Sequence, residues 1–95
     1  MRFESLKPST KKDKKYMIIF TEPDKTVHFG SKNSKTYLDH KDKTKRTNYI
    51  NRHKVNEDWN DPLSAGALSL YLLWGASTNL NKNLHYYLQK FKIDN

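Results

Sequence analysis

The chain has no cysteine, only three glycines and three prolines, and no long apolar run. The first absence excludes disulfides, a thiol nucleophile and any zinc site built on cysteine; it fits a reducing compartment. The second excludes a glycine-rich phosphate loop, because Gly30, Gly66 and Gly75 lie far apart. The third leaves no stretch of roughly 18 apolar residues, so no membrane span is expected. The first residues also lack the apolar centre of a signal peptide, so the protein is not expected to be secreted.

Acidic residues are scarce. Eighteen Lys and Arg stand against ten Asp and Glu, a net charge of +8. The excess is uneven. Residues 1–54 hold fifteen cations and six acids (+9), whereas residues 55–95 hold three and four (−1). A basic half joined to a neutral, apolar half reads as a binding surface on a scaffold. The partner class is nucleic acid, DNA or RNA, or another polyanionic surface. Ninety-five residues make one domain with a marginal core, and 13% aromatic content argues against disorder.

Residues 1–15 carry Pro8, Ser9, Thr10 and five lysines. They read as a flexible basic arm, with Phe3 and Leu6 able to pin its start, ahead of a compact domain over 16–95. Tyr16–Phe20 and Thr26–Phe29 are strand-like, and the Pro- and Asp-containing segment between them is turn chemistry, giving a β-hairpin. Val27 and Phe29 then share one face, Thr26 and His28 the other. A hairpin alone is unstable in water, so a third short strand is expected around Thr36–Leu38, or packing on the helices that follow.

A helix is predicted from Asp42, as N-cap, to Lys54. Asp61-Pro62 signals the start of another. Residues 63–74 are apolar around the whole circumference, which suits the centre of the domain or an interface with a second copy or a capsid partner. Gly66, between two alanines, suggests close approach of another backbone. A last helix, capped by Ser77 or Thr78, runs to Phe91 with Leu80, Leu84, Tyr87, Leu88 and Phe91 on one face. The expected fold is α+β: a small single domain with a β-hairpin, and room for a third strand, packed on about three helices.

Read as a helix, the stretch from His40 to Trp59 places Lys41, Lys45, Asn48 and Arg52 within roughly 60° of arc, while Tyr49, Ile50 and His53 lie on another side. The candidate phosphate-binding set is Lys32, Lys35, Lys41, Lys45, Arg46, Asn48, Arg52 and Lys54, with Lys41, Lys45 and Arg52 at its centre. Tyr49, Ile50 and Trp59 would hold the helix in place. His28, His40 and His53, with acids nearby, form a weaker metal-ligand set. They match no compact motif such as H-E-x-x-H, so neither a cofactor nor an enzyme is the expectation. Glu57 and Asp58 beside Trp59 are read as ion-pair partners of Arg46 or Arg52 rather than an acid/base pair.

The ordered set Lys25-Thr26-Val27-His28-Phe29-Gly30, His40-Lys41-Asp42, Arg46, Tyr49-Ile50, Arg52-His53, Asn56-Glu57-Asp58-Trp59, Ala65-Gly66 and Leu73-Trp74 resembles a family of short uncharacterised proteins encoded by large DNA viruses of protists. The likeness covers about residues 15–92. Ala67-Leu68 departs from it, since the family is more aromatic there. The resemblance implies a viral origin and no mechanism. The expected function is a small nucleic-acid-binding accessory protein that contacts the phosphate backbone without sequence specificity, in the virion or inside the infected cell. The alternatives are a minor structural protein of the virion or homo-oligomeric scaffold using residues 63–74, and then a metal-dependent nuclease.

Overall fold

The computed structural model describes residues 1–55 and 57–95. Its sheet has three antiparallel strands in the order β1 (Arg2–Pro8), β2 (Lys14–Thr21), β3 (Lys25–Ser31). The register sets Ile18 between Leu6 and Val27, and Tyr16 between Pro8 and Phe29. Since side chains alternate along a strand, this register gathers Phe3, Leu6, Tyr16, Ile18, Phe20, Val27 and Phe29 against the core. Val27 and Phe29 share that face, as the alternation of the sequence indicates.

The third strand is not where the sequence suggests. Residues 2–8, expected as a mobile arm, form the edge strand β1. The alternation is broken there because Phe3 and Leu6 are three residues apart. A bulge between Phe3 and Ser5 takes up Glu4 as the extra residue and lets both apolar side chains reach the core. The Phe3 N–H also donates to the Asp94 carbonyl at 2.7 Å, tying the strand to the chain's last residues. Thr36–Leu38, expected as the third strand, instead opens a short helix α1 (Tyr37–His40), started by the Asp39 carboxylate accepting from the Thr36 N–H at 2.7 Å.

Helix α2 (Lys43–His53) is capped as expected. Asp42 Oδ1 accepts from the N–H groups of Thr44 and Lys45. The apolar stretch begins at α3 (Ala65–Leu68) and runs directly into a π-helical turn, Ser69–Leu73. Its cap is Ser64, which accepts from Ala67 N–H, while Asp61 closes the preceding turn through Leu63 N–H. The last helix, α4 (Leu80–Lys90), is capped by Asn79 rather than Ser77 or Thr78. The π-turn fills the centre of the molecule. Ala67, Leu68, Leu72 and Leu73 are buried against Ile18, Phe20, Phe29 and Tyr87. Of the two places the sequence allows residues 63–74, the centre of the domain and an interface, most of the segment takes the first. Gly66 likewise admits no second backbone; a Cβ there would overlap the Glu57 carboxylate.

Asn83, 3% exposed, closes the core. Its amide donates to Leu72 O (3.1 Å) and Ser77 O (2.7 Å), and its carbonyl accepts from Ser77 N–H (3.1 Å). One side chain thus satisfies the end of the π-turn and the loop before α4. Asn83→Ala strands these groups and is expected to cost about 2–3 kcal/mol, lowering the melting temperature by roughly 10–20 °C in a thermal scan. Deleting residues 1–8 is expected to abolish cooperative unfolding followed by circular dichroism, since it bares the β2 edge and uncovers the core beneath Phe3 and Leu6. An unchanged melting curve would restore the mobile arm.

Candidate nucleic-acid interface

Arg46, Tyr49, Ile50 and His53 are the half-buried residues of α2, spaced i, i+3, i+4, i+7, and they form its inner stripe. Arg46 Nε donates to the carbonyls of Trp74 and Gly75, both at 3.0 Å, where the π-turn ends. Its guanidinium lies 5.7 Å from the centre of the Tyr37 ring. Tyr49 stacks on Trp74 with ring centres 4.2 Å apart and planes 4° from parallel. His53 stacks on Tyr49 at 4.0 Å, and its Nδ1 donates to the Tyr49 carbonyl at 2.9 Å. Burial pushes the Tyr49 phenol up to about 12; Glu57 adds to this and Arg52 opposes it.

His40 stands against Trp74, ring centres 5.2 Å apart. Its Nδ1 accepts from the Asp42 N–H at 3.0 Å. An accepting Nδ1 requires the ring proton on Nε2, and that nitrogen is enclosed without a protein partner.

With the inner stripe spent on packing, the outer side of α2 borders an open cleft of ≈ 670 Å³ lined by Lys35, His40, Lys45, Asn48, Asn51, Arg52 and Trp74. Three of these are cations and none is an acid. Among the described residues the ion pairs are Arg2–Glu22 and Lys15–Asp39, each at 4.0 Å, so Lys35, Lys45 and Arg52 are unpaired. Asp39 is held below the usual carboxylate range, first by the Thr36 backbone N–H, with Lys15 and Lys35 adding their charge.

The structure therefore brings together Lys35, Lys45, Asn48 and Arg52 of the sequence-derived set. Lys32, Lys41 and Lys54 are exposed but do not line the cleft; Lys41 is the left-handed C-cap of α1 and Lys54 the C-cap of α2. Arg46 is corrected. It points inward as a tie to the π-turn, and its place three and four residues before Tyr49 and Ile50 is the signal for that. Asn51 and His40 join the cleft without having been in the phosphate set; Asn51 follows Asn48 by three residues and so flanks the same face.

The histidine set does not assemble. His28 is bonded to Ser9 Oγ at 2.7 Å on the sheet, His53 to the Tyr49 carbonyl and His40 to Asp42. Among the described residues no three His, Asp or Glu side chains gather to hold a metal. Nor do Glu57 and Asp58 pair with Arg46 or Arg52 among those residues: Glu57 sits at Gly66 and Asp58 accepts from Asn60 N–H. Asn56 of the same motif lies outside the described residues. No helix among them is long and apolar enough to cross a membrane.

Because the fold favours the neutral phenol, Tyr49 contributes full stability below its ordinary 10.0 and loses it as pH rises through about 12. Tyr49→Phe keeps the stack and removes the ionisable group. Stability at neutral pH is expected to stay within about 0.5 kcal/mol of the parent, and the alkaline decline to become shallower in urea titrations near about pH 11. Tyr87, also raised by burial, retains the remainder of the decline.

Neither the curated proteins nor the solved structures contain a match to the chain. One family model does match, that of the Family of unknown function (DUF5754), over residues 4–53, from β1 to the end of α2. That segment supplies every lining residue of the cleft except Trp74. The chain belongs to this family of unknown function.

Proposed function

We propose that the protein binds nucleic acid through the phosphate backbone, without reading sequence, and that the cleft beside α2 is where it does so. The observation that carries this is the composition of the cleft wall: three unpaired cations, two carboxamides and no carboxylate. Phosphate oxygens only accept hydrogen bonds, and each Lys or Arg that meets one releases condensed counterions into solution. Lys35, Lys45 and Arg52 supply the charge, and the Asn48 and Asn51 amides supply neutral donors. Lys32, Lys41 and Lys54, outside the cleft, extend the positive field toward an approaching strand. The aromatic rings beside the cleft are stacked on one another, so specificity through base stacking is not expected there. In the viral setting that the sequence resembles, such a protein serves as an accessory to the genome, packaged with it or acting in the infected cell.

Gel shifts at several salt concentrations test the proposal. Binding should weaken steeply with salt, each phosphate contact adding about 0.7–0.9 to the slope of log affinity against log salt. The pair Lys45→Ala and Arg52→Ala should lower that slope by about two and weaken all sequences alike. Both positions are exposed, so the fold should be unaffected. Absence of binding at low salt, or a loss confined to particular sequences, would refute the proposal.

A further inference from the structure

Trp74 borders a second cavity, ≈ 270 Å³, whose walls include Ile50, Trp59, Tyr71, Tyr86 and Arg46. Its character is opposite to that of the cleft: four aromatic rings with a single cation. Lys45 and Arg46 are neighbours in sequence, about 100° apart around α2, so the two openings flank one helix. The volume falls just short of the roughly 300–1,000 Å³ of pockets that enclose a drug-sized ligand, which suits one flat ring system and not a base pair.

One feature narrows the occupant. Tyr86 is 57% exposed and tilted toward Tyr71, ring centres 6.3 Å apart, so an aromatic ring stands open beside the cavity. The Trp59 indole N–H is closed off from solvent and plays no part in recognition. A flat ring that stacks on Tyr86 fits such a space. A nucleobase is such a ring, and it can leave its helix to stack there only when it is unpaired.

We infer that this cavity takes one unpaired nucleobase of the strand whose phosphates lie in the cleft, which makes the protein a single-strand binder. The inference rests on the nucleic-acid reading of the cleft and adds to it a choice between single strand and duplex.

The chain's two tryptophans both border this cavity, so indole fluorescence reports on it directly. Adenosine and uridine, which carry no phosphate, should change that fluorescence, and Tyr86→Ala should reduce the change. On strands, Tyr86→Ala should weaken binding of a single-stranded oligonucleotide roughly tenfold, the scale of one lost base–aromatic stack, and leave binding of the matching duplex unaltered. Tyr86 is exposed, so this variant should fold; Tyr86→Phe, which keeps the ring, should bind like the parent. Equal affinity for single strand and duplex, with Tyr86→Ala neutral on both, would overturn the inference and leave the phosphate reading standing. If neither single strand nor duplex binds, both readings are overturned, even if the nucleosides still change the fluorescence.

Discussion

The position of α2 depends on its attachment to the end of the π-turn. Arg46 donates to the Trp74 and Gly75 carbonyls, and Tyr49 lies flat on the Trp74 ring. These two contacts act on different coordinates. The bonds from Arg46 fix the helix along its axis at one point, and the stack fixes its rotation, because a ring pair 4° from parallel tolerates little roll. With rotation set, Lys45, Asn48 and Arg52 must face away from the core. The cleft is thus a consequence of how the opposite side of the helix is packed.

The same attachment explains the charge distribution. A cation tied to two carbonyls in a half-buried site is a structural group, and Arg46 is one. Its neighbours Lys45 and Arg52 have no carboxylate within ion-pair range among the described residues. The acids of this region are occupied elsewhere: Asp42 caps α2, Asp39 starts α1, and Glu57 fills the space above Gly66. Placed there, none of the three comes within ion-pair range of Lys35, Lys45 or Arg52 among the described residues, so these cations stay exposed at the surface.

Much of this was legible in the sequence. The β2–β3 hairpin, the Asp42 cap and the amphipathic face of α4 follow from alternation, capping chemistry and 3.6-residue periodicity. The outer face of α2 follows from the same arithmetic. Three features did not yield to it, each for a local reason. The bulge at Glu4 disguised β1, because alternation is the only signal a short strand gives. The inward turn of Arg46 was hidden by its charge, although its spacing from Tyr49 and Ile50 placed it on the buried stripe. The place of residues 63–74 stays open between core and interface, because an all-round apolar pattern does not say how much surface β3 and α4 bring against it.

That last point links the fold to the question of partners. An all-round apolar segment on a ninety-five-residue chain admits an interface as well as the domain's centre, because so small a core has little surface to cover it with. Here β3 and α4 supply most of that cover. Phe3 and Leu6 pack on one side of the core while Tyr87 and Leu88 close it from α4. The large apolar side chains left exposed are Met1, Val55 and Tyr86, three separate residues in place of a patch. Of these, Tyr86 borders the aromatic cavity, which lies across α2 from the cationic cleft. The surface beside α2 is therefore basic on one side and aromatic on the other, and the nucleotide strand proposed as its partner would answer the first with its phosphates and the second with its bases.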